Sequence, residues 1–162
     1  MREAIEMAIK METDAIAFYS EAAKKTSHPF GKEMFKGFVK DENRHLRMLK
    51  EIFKGIDIQF EFIRPKDSIK TIFSEQKDAM MQRIKAQDNE LEAIKIAMHM
   101  EKDGFDYYKS AAGKATASKE KELFERLAVE ENDHFSILNE TYSFLDDTGN
   151  WYMYEERGVI EG

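Results

Sequence analysis

Two short strings carry the chemistry of this sequence. Glu42-Asn43-Arg44-His45 and Glu131-Asn132-Asp133-His134 both read Glu-x-x-His. On a helix, residues at i and i+3 share a face, so each string can aim a carboxylate and an imidazole at one point. The strings stand 89 residues apart, and the same offset relates Glu12 to Glu101, each 30 residues upstream of its string. A single Glu-x-x-His is a weak signal, met on many helix surfaces. Six residue types agreeing in two spacings and one repeat offset are a strong one, and they form a donor set for metal.

The surroundings of these residues explain why metal is needed. Glu12 falls among Ile5, Ala8, Ile9, Ala15 and Ile16 at helical spacing, and Glu42 and His45 fall among Phe35, Phe38, Val39, Leu46 and Leu49. Glu101, Glu131 and His134 interrupt apolar stripes in the same way. Four glutamates on apolar faces cannot stay ionised without partners, because desolvating each charge costs several kcal/mol or more. Two divalent ions would balance four carboxylates, with neutral imidazoles completing the set. Mixed carboxylate and imidazole ligation suits iron or manganese better than calcium, and the lack of thiolate argues against a structural zinc site. The pattern matches the one used by di-iron and di-manganese helical bundles.

Four long amphipathic helices must position these groups, and the apolar spacing places them over 2–26, 30–54, 89–113 and 118–145. Thr26-Ser27-His28-Pro29 reads as a stop and restart, Gly55 as a stop, and Asn89-Glu90-Leu91-Glu92 as a capping box. Residues 55–67 alternate weakly through Ile56, Ile58, Phe60 and Phe62, a faint strand pattern broken at Arg64-Pro65. A further helix is expected over 68–86, through Ile69, Ile72, Phe73, Ala79, Met80 and Ile84. Its role would be to carry the chain between bundle ends.

Residues 4–51 shifted by 89 fall on 93–140 without a gap. Met11, Glu12, Asp14, Tyr19, Phe35, Glu42, Asn43, His45 and Leu49 each meet an identical residue. The expected fold is therefore all-α: a four-helix bundle with a long crossover between two repeated helical hairpins. It would occupy residues 1–146, with 55–88 as crossover and 147–162 as a C-terminal tail. In each hairpin the ligand glutamates are equidistant from the turn, which puts all six polar residues in one layer near mid-bundle. The apolar tail, Trp151-Tyr152-Met153-Tyr154 and Gly158-Val159-Ile160, fits either a bundle end or a partner subunit.

Composition narrows the field further. The chain has 162 residues, 42% hydrophobic and 35% charged, with two prolines, which suits a single helix-rich domain. It has no cysteine, which removes disulfides, thiol catalysis, iron–sulfur clusters and cysteine zinc sites. A net charge of −7 without a basic stripe argues against nucleic acid. No apolar run is long enough to span a bilayer, and the N-terminus lacks a signal-peptide pattern, so a cytoplasmic protein without a membrane partner is expected.

Residues next to the ligands invite two readings each. Asp41 and Glu130 directly precede the ligand glutamates. Either they orient the histidines, crosswise between hairpins, or they are exposed helix acids. Tyr19 and Tyr108 lie two turns beyond Glu12 and Glu101, and either hydrogen-bond ligand carboxylates or are plain aromatic core. His28 and His99 fall outside the stripe and read as surface residues. The methionines read as core filler.

Met11-Glu12 with Phe18-Tyr19, Met100-Glu101 with Tyr107-Tyr108, and the two Glu-x-x-His strings resemble the rubrerythrin branch of the ferritin-like di-iron proteins. Asp41-Glu42-Asn43-Arg44-His45 is also similar to the Asp-Glu-x-Arg-His signature of the wider carboxylate di-iron group. The second copy departs from that signature at Glu130 and Asp133. The resemblance covers most of 2–145. It implies that Glu12, Glu42, His45, Glu101, Glu131 and His134 hold two iron ions, with manganese or a mixed pair as variants, and that Glu42 and Glu131 bridge them. It implies a homodimeric enzyme that reduces hydrogen peroxide or dioxygen and protects against oxidative stress. Rubrerythrins usually carry a cysteine-ligated iron domain, so electrons here would come from a separate donor such as a rubredoxin. They also carry an extra glutamate three residues after the third-helix ligand, where this chain has Gly104. That departure leaves a symmetric six-ligand set similar to the ferroxidase centre of bacterioferritins. The rival readings are a protein that handles iron without redox turnover and a purely structural bundle.

Overall fold

The computed structural model describes residues 1–57, 59–81 and 86–146. The C-terminal tail from 147, Ile58 and Ile84 lie outside the described residues. Six helices follow in order: α1 (Arg2–Lys25), α2 (Pro29–Phe53), α3 (Pro65–Glu75), α4 (Lys77–Met81), α5 (Asp88–Lys114) and α6 (Ser118–Asp146). The fold is an all-α, ferritin-like four-helix bundle, with α1–α2 and α5–α6 as the two hairpins. None of the helices is long and apolar enough to cross a membrane, among the described residues.

Local chemistry sets the helix ends. Thr26 leaves α1 in an extended conformation, and His28 caps α2, its Nδ1 accepting from the Gly31 N–H at 3.5 Å, with Pro29 in the first turn. His28 is therefore not the surface residue expected. It is 2% exposed and edge-on to Phe144 of α6, because the hairpin turn is covered by the end of the other hairpin. His99 is exposed as expected. Beyond α2, Gly55 takes φ +74°, a left-handed conformation that glycine adopts without Cβ strain.

The capping box of α5 lies two residues before the expected position, on Gln87 with Glu90. The same Glu90 carboxylate accepts from the Ser27 hydroxyl at 2.7 Å, fastening the first hairpin turn to the start of α5. At the other end the Tyr107 hydroxyl donates to the Ala4 carbonyl at 2.9 Å. The end of α1 thus meets the start of α5 and the start of α1 meets the second half of α5, so the two run antiparallel.

The bundle interior falls into two apolar clusters. One holds Tyr19, Phe35, Phe38 and Ile94; the other holds Ile5, Leu49, Tyr108 and Phe124. They mirror each other through the repeat: Tyr19 stacks on Phe35 at 5.8 Å and Tyr108 on Phe124 at 6.0 Å. Truncating a buried leucine such as Leu49 to alanine is expected to cost about 2–5 kcal/mol. That rigidity holds the polar residues between the clusters in place.

The crossover differs from its sequence reading in two respects. No strand forms among the described residues of 55–64. Phe60 and Phe62 instead pack against the second cluster, with the Arg126 guanidinium 5.0 Å above the Phe62 ring. The expected single helix over 68–86 begins earlier, because Pro65 opens its first turn. It breaks at Gln76, whose backbone leaves the helical region at φ −101° and ψ 10°. The pieces are α3 and the short α4. α3 lies against α2 and α6 and buries Ile69 and Phe73 in the first cluster.

Candidate metal centre

Each helix of the bundle contributes to one buried layer. Glu12 comes from α1, Glu42 and His45 from α2, Glu101 from α5, and Glu131 and His134 from α6; none is more than 4% exposed. Donor atoms of Glu12, Glu42, His45 and Glu131 lie within 4.8 Å of one another, as do those of Glu42, Glu101, Glu131 and His134. Glu42 and Glu131 belong to both groups. The six residues singled out from the spacing are thus brought to one place, as two four-donor sites sharing two carboxylates.

The histidines are aimed by acids of the opposite hairpin. His45 Nε2 lies 3.0 Å from Glu130 Oε1 on α6, and His134 Nε2 lies 2.8 Å from Asp41 Oδ2 on α2. A carboxylate at Nε2 favours the proton there and turns Nδ1 toward the layer. His45 Nδ1 faces Glu42 Oε2 at 3.2 Å, and His134 Nδ1 faces Glu42 Oε1 at 3.0 Å and Glu101 Oε1 at 3.2 Å. Asp41 and Glu130 are buried rather than exposed helix acids. The tyrosines also cross between hairpins: Tyr19 donates to Glu101 and Tyr108 to Glu12.

An outer ring of charge, not anticipated from spacing, surrounds these pairs. Arg44 donates from Nη2 to Glu130 Oε1 at 2.6 Å and from Nη1 to Glu130 Oε2 at 3.0 Å, and also reaches Asp41 at 3.4 Å. Arg64, from the crossover, forms a two-pronged pair with Asp133, both bonds 2.9 Å. The Ile63 N–H adds a bond to Glu130 at 3.4 Å. Arg44 was visible in the Asp-Glu-x-Arg-His string. Asp133 was visible as an acid where the first copy has that arginine. Nothing in the spacing pointed to Arg64, which no repeat relates to its partner.

The electrostatics of the layer follow from burying its carboxylates and imidazoles together. Burial, then the neighbouring Glu42 charge, pushes the Glu12 carboxyl up to about 8. Burial and the Glu131 charge push Glu101 well above the usual carboxylate range. Burial alone would lower the histidines, but the carboxylates around His45 and His134 outweigh it and raise both well above 6.5. Burial would raise Glu130, but hydrogen bonds from His45 and Arg44 bring it down to about 2. Burial and neighbouring carboxylates would raise Glu42 and Glu131, but hydrogen bonds from Glu12, Glu101 and both histidines bring them below the ordinary carboxylate value, so the protons that metal would displace sit on Glu12, Glu101 and the imidazoles.

The donor set fits a pair of divalent metal ions. Glu101 Oε2 is buried without a hydrogen-bond partner, and Glu42 Oε1 meets only His134 Nδ1, an arrangement costly for carboxylates unless something cationic meets them. All donors are carboxylate oxygen or imidazole nitrogen, which suits iron or manganese. Opposite the histidines the layer opens into a cleft between α1 and α5, lined by Met11, Ala15, Phe18, Met100 and Gly104.

Comparison with protein families finds one match, the Rubrerythrin family model, over residues 3–147. Comparisons with curated proteins and with solved structures find none. The match takes in all four bundle helices and every residue of the metal layer, and the chain belongs to the rubrerythrin family.

Proposed function

We propose that the protein is a di-iron oxidoreductase that reduces hydrogen peroxide or dioxygen with electrons from an external donor. The observation that carries this reading is the pair of four-donor groups sharing Glu42 and Glu131 at the floor of a solvent-facing cleft. Two iron ions held there would supply two one-electron changes at adjacent positions, matching the two-electron cleavage of an O–O bond. Glu12, Glu42 and His45, with Glu131, would hold one ion; Glu101, Glu131 and His134, with Glu42, the other.

The chain's own residues prepare the site. Asp41 and Glu130 fix the imidazole orientations from outside the layer. Tyr19 and Tyr108 hold Glu101 and Glu12, which restrains carboxylates that would otherwise repel one another. The apolar clusters above and below exclude water. These 162 residues contain no cysteine to hold a second redox centre beside the site, and we propose a separate donor such as a rubredoxin. We place the enzyme in the cytoplasm as a homodimer.

Gly104 favours a second reading, iron handling by a ferroxidase-type centre. It stands where rubrerythrins carry an extra glutamate, and it leaves the six donors symmetric. Rapid mixing separates the two. Protein loaded anaerobically with Fe(II) should hold two ions per chain and be oxidised faster by hydrogen peroxide than by air-saturated buffer, repeatedly when a reductant is present. Faster oxidation by dioxygen, with no turnover under reductant, would transfer the assignment to iron handling.

A further inference from the structure

The cleft between α1 and α5 is much larger than hydrogen peroxide requires. Its volume is about 380 Å³, whereas a water molecule, a little smaller than hydrogen peroxide, takes about 30 Å³ in the liquid. It falls within the size range of small-molecule sites, which combine apolar walls with a few converging polar groups. Met11, Ala15, Phe18, Met100 and Gly104 form the walls, and the carboxylates of Glu12, Glu101 and Glu131 form the floor.

The repeat explains why the space exists. Ala15 and Gly104 are repeat mates on antiparallel helices, each three residues beyond its ligand glutamate. Small side chains at both positions leave the space over the layer unfilled, and these helices pack far less closely than either hairpin pair. The thioethers of Met11 and Met100, also repeat mates, offer adaptable, polarizable walls. Asp14 and Asp103, a third repeat pair, stand exposed at the rim. The apolar walls favour a neutral ligand, and Asp103 at the rim disfavours an anionic one; Asp14 across from it is paired with Lys10 at 2.9 Å.

We propose that this cleft binds the organic part of a neutral, apolar hydroperoxide, ROOH, with Ala15 and Gly104 keeping the space open for it. This rests on the peroxide-reducing reading above and names its substrate class. The reaction is ROOH + 2 H⁺ + 2 e⁻ → ROH + H₂O. The O–O bond breaks, the external donor supplies both electrons, and the alcohol leaves by the cleft. The R group lies against the methionines and Phe18, and the hydroperoxide end meets the polar floor.

The first test reads binding without turnover. Protein loaded with zinc, which is redox-silent and diamagnetic, carries ¹³C-methyl methionine and is titrated with cumyl alcohol, the product of cumene hydroperoxide. Saturable shifts of the Met11 and Met100 methyl signals are expected. Ala15→Leu and Gly104→Leu, which fill the cleft from opposite helices, should each weaken binding about tenfold or more. Gly104→Ala should retain binding, because a Cβ there meets Glu131 at ordinary contact distance, 3.7 Å. The second test uses iron-loaded protein in stopped flow. Oxidation by cumene hydroperoxide should saturate at lower concentration than oxidation by hydrogen peroxide, and Ala15→Leu should raise the first half-saturation more than the second. If the methionine signals do not move, or cumene hydroperoxide leaves the iron reduced while hydrogen peroxide oxidises it, the substrate assignment fails and the peroxidase reading stands. If neither peroxide oxidises the iron, both fall.

Discussion

The two hairpins hold the same inner residues and different outer ones. Glu12, Tyr19, Glu42 and His45 of the first are matched by Glu101, Tyr108, Glu131 and His134 of the second. Outside them, Asp41 and Arg44 are matched by Glu130 and Asp133. Arg44 serves both halves, gripping Glu130 with two nitrogens and reaching Asp41. Asp133 cannot do this and is itself neutralised by Arg64 from the crossover. The difference separates two constraints. The inner residues would be constrained by a metal pair, which presents the same chemistry to each half. The outer charges are under no such symmetry: Arg44 is shared by Asp41 and Glu130, while Asp133 takes Arg64 to itself.

The largest effect should come from breaking the inner equivalence. Glu42→Gln and Glu131→Gln each remove a carboxylate common to both donor groups. Each should cost more than the roughly 10–100-fold in affinity expected for residues that merely orient ligands, and bound metal should fall below one ion per chain. Glu12→Gln and Glu101→Gln each touch one group and should leave about one ion bound, to be counted by elemental analysis after dialysis.

Next comes pH, which tests the layer with its metals removed. In the folded metal-free protein Glu12 keeps its proton to about pH 8, against 4.5 as the ordinary value. A carboxyl whose folded value is raised contributes stability that is full below its ordinary value and is lost as pH rises through the folded one. The raised histidines act in the same direction. The melting temperature of metal-free protein should therefore fall between pH 4.5 and 8, while the stabilisation gained on adding metal grows over that window. A flat profile for metal-free protein would contradict the protonated layer. Glu130, lowered to about 2, acts oppositely, and its contribution is lost only as pH falls from 4.5 toward 2.

The outer ring sharpens the contrast between halves. Arg44→Leu leaves Glu130, whose side chain is 1% exposed, with only His45 and the Ile63 N–H, and the loss of its buried cation should cost about 3–5 kcal/mol in denaturant unfolding. Arg64→Leu removes a half-exposed side chain from Asp133, whose own side chain is 2% exposed; water can refill only the outer side, so the cost should lie below that of Arg44→Leu, at about 1–3 kcal/mol. Equal losses would mean that the two outer pairs are equivalent after all.

The smallest effect belongs to the turns. Ser27 in the first hairpin turn donates to Glu90, so Ser27→Ala should cost about 1 kcal/mol. Thr116, the repeat mate of Ser27 before α6, is exposed, and Thr116→Ala should leave the melting temperature within a degree or two.

Periodicity determined a great deal of this protein by itself. Apolar residues at helical spacing mark each long helix to within a few residues, because burial of one face stabilises each helix along its whole length. The 89-residue repeat relates the hairpins, and carboxylates on apolar faces point to a charged layer, because an unpaired buried charge is too costly to persist. Other features were decided only by tertiary structure. Phe60 and Phe62 alternate like a strand, yet among the described residues no neighbouring strand exists to pair with them, and the core claims their rings. His28 looked like a surface residue until the end of α6 covered the turn beside it. The Arg64–Asp133 pair and the space beside Gly104 depend on how separate segments approach one another across the bundle. Spacing along one helix reports which residues share a face. It carries no information on what lies opposite, and pairing, burial and cavity volume are properties of that opposition.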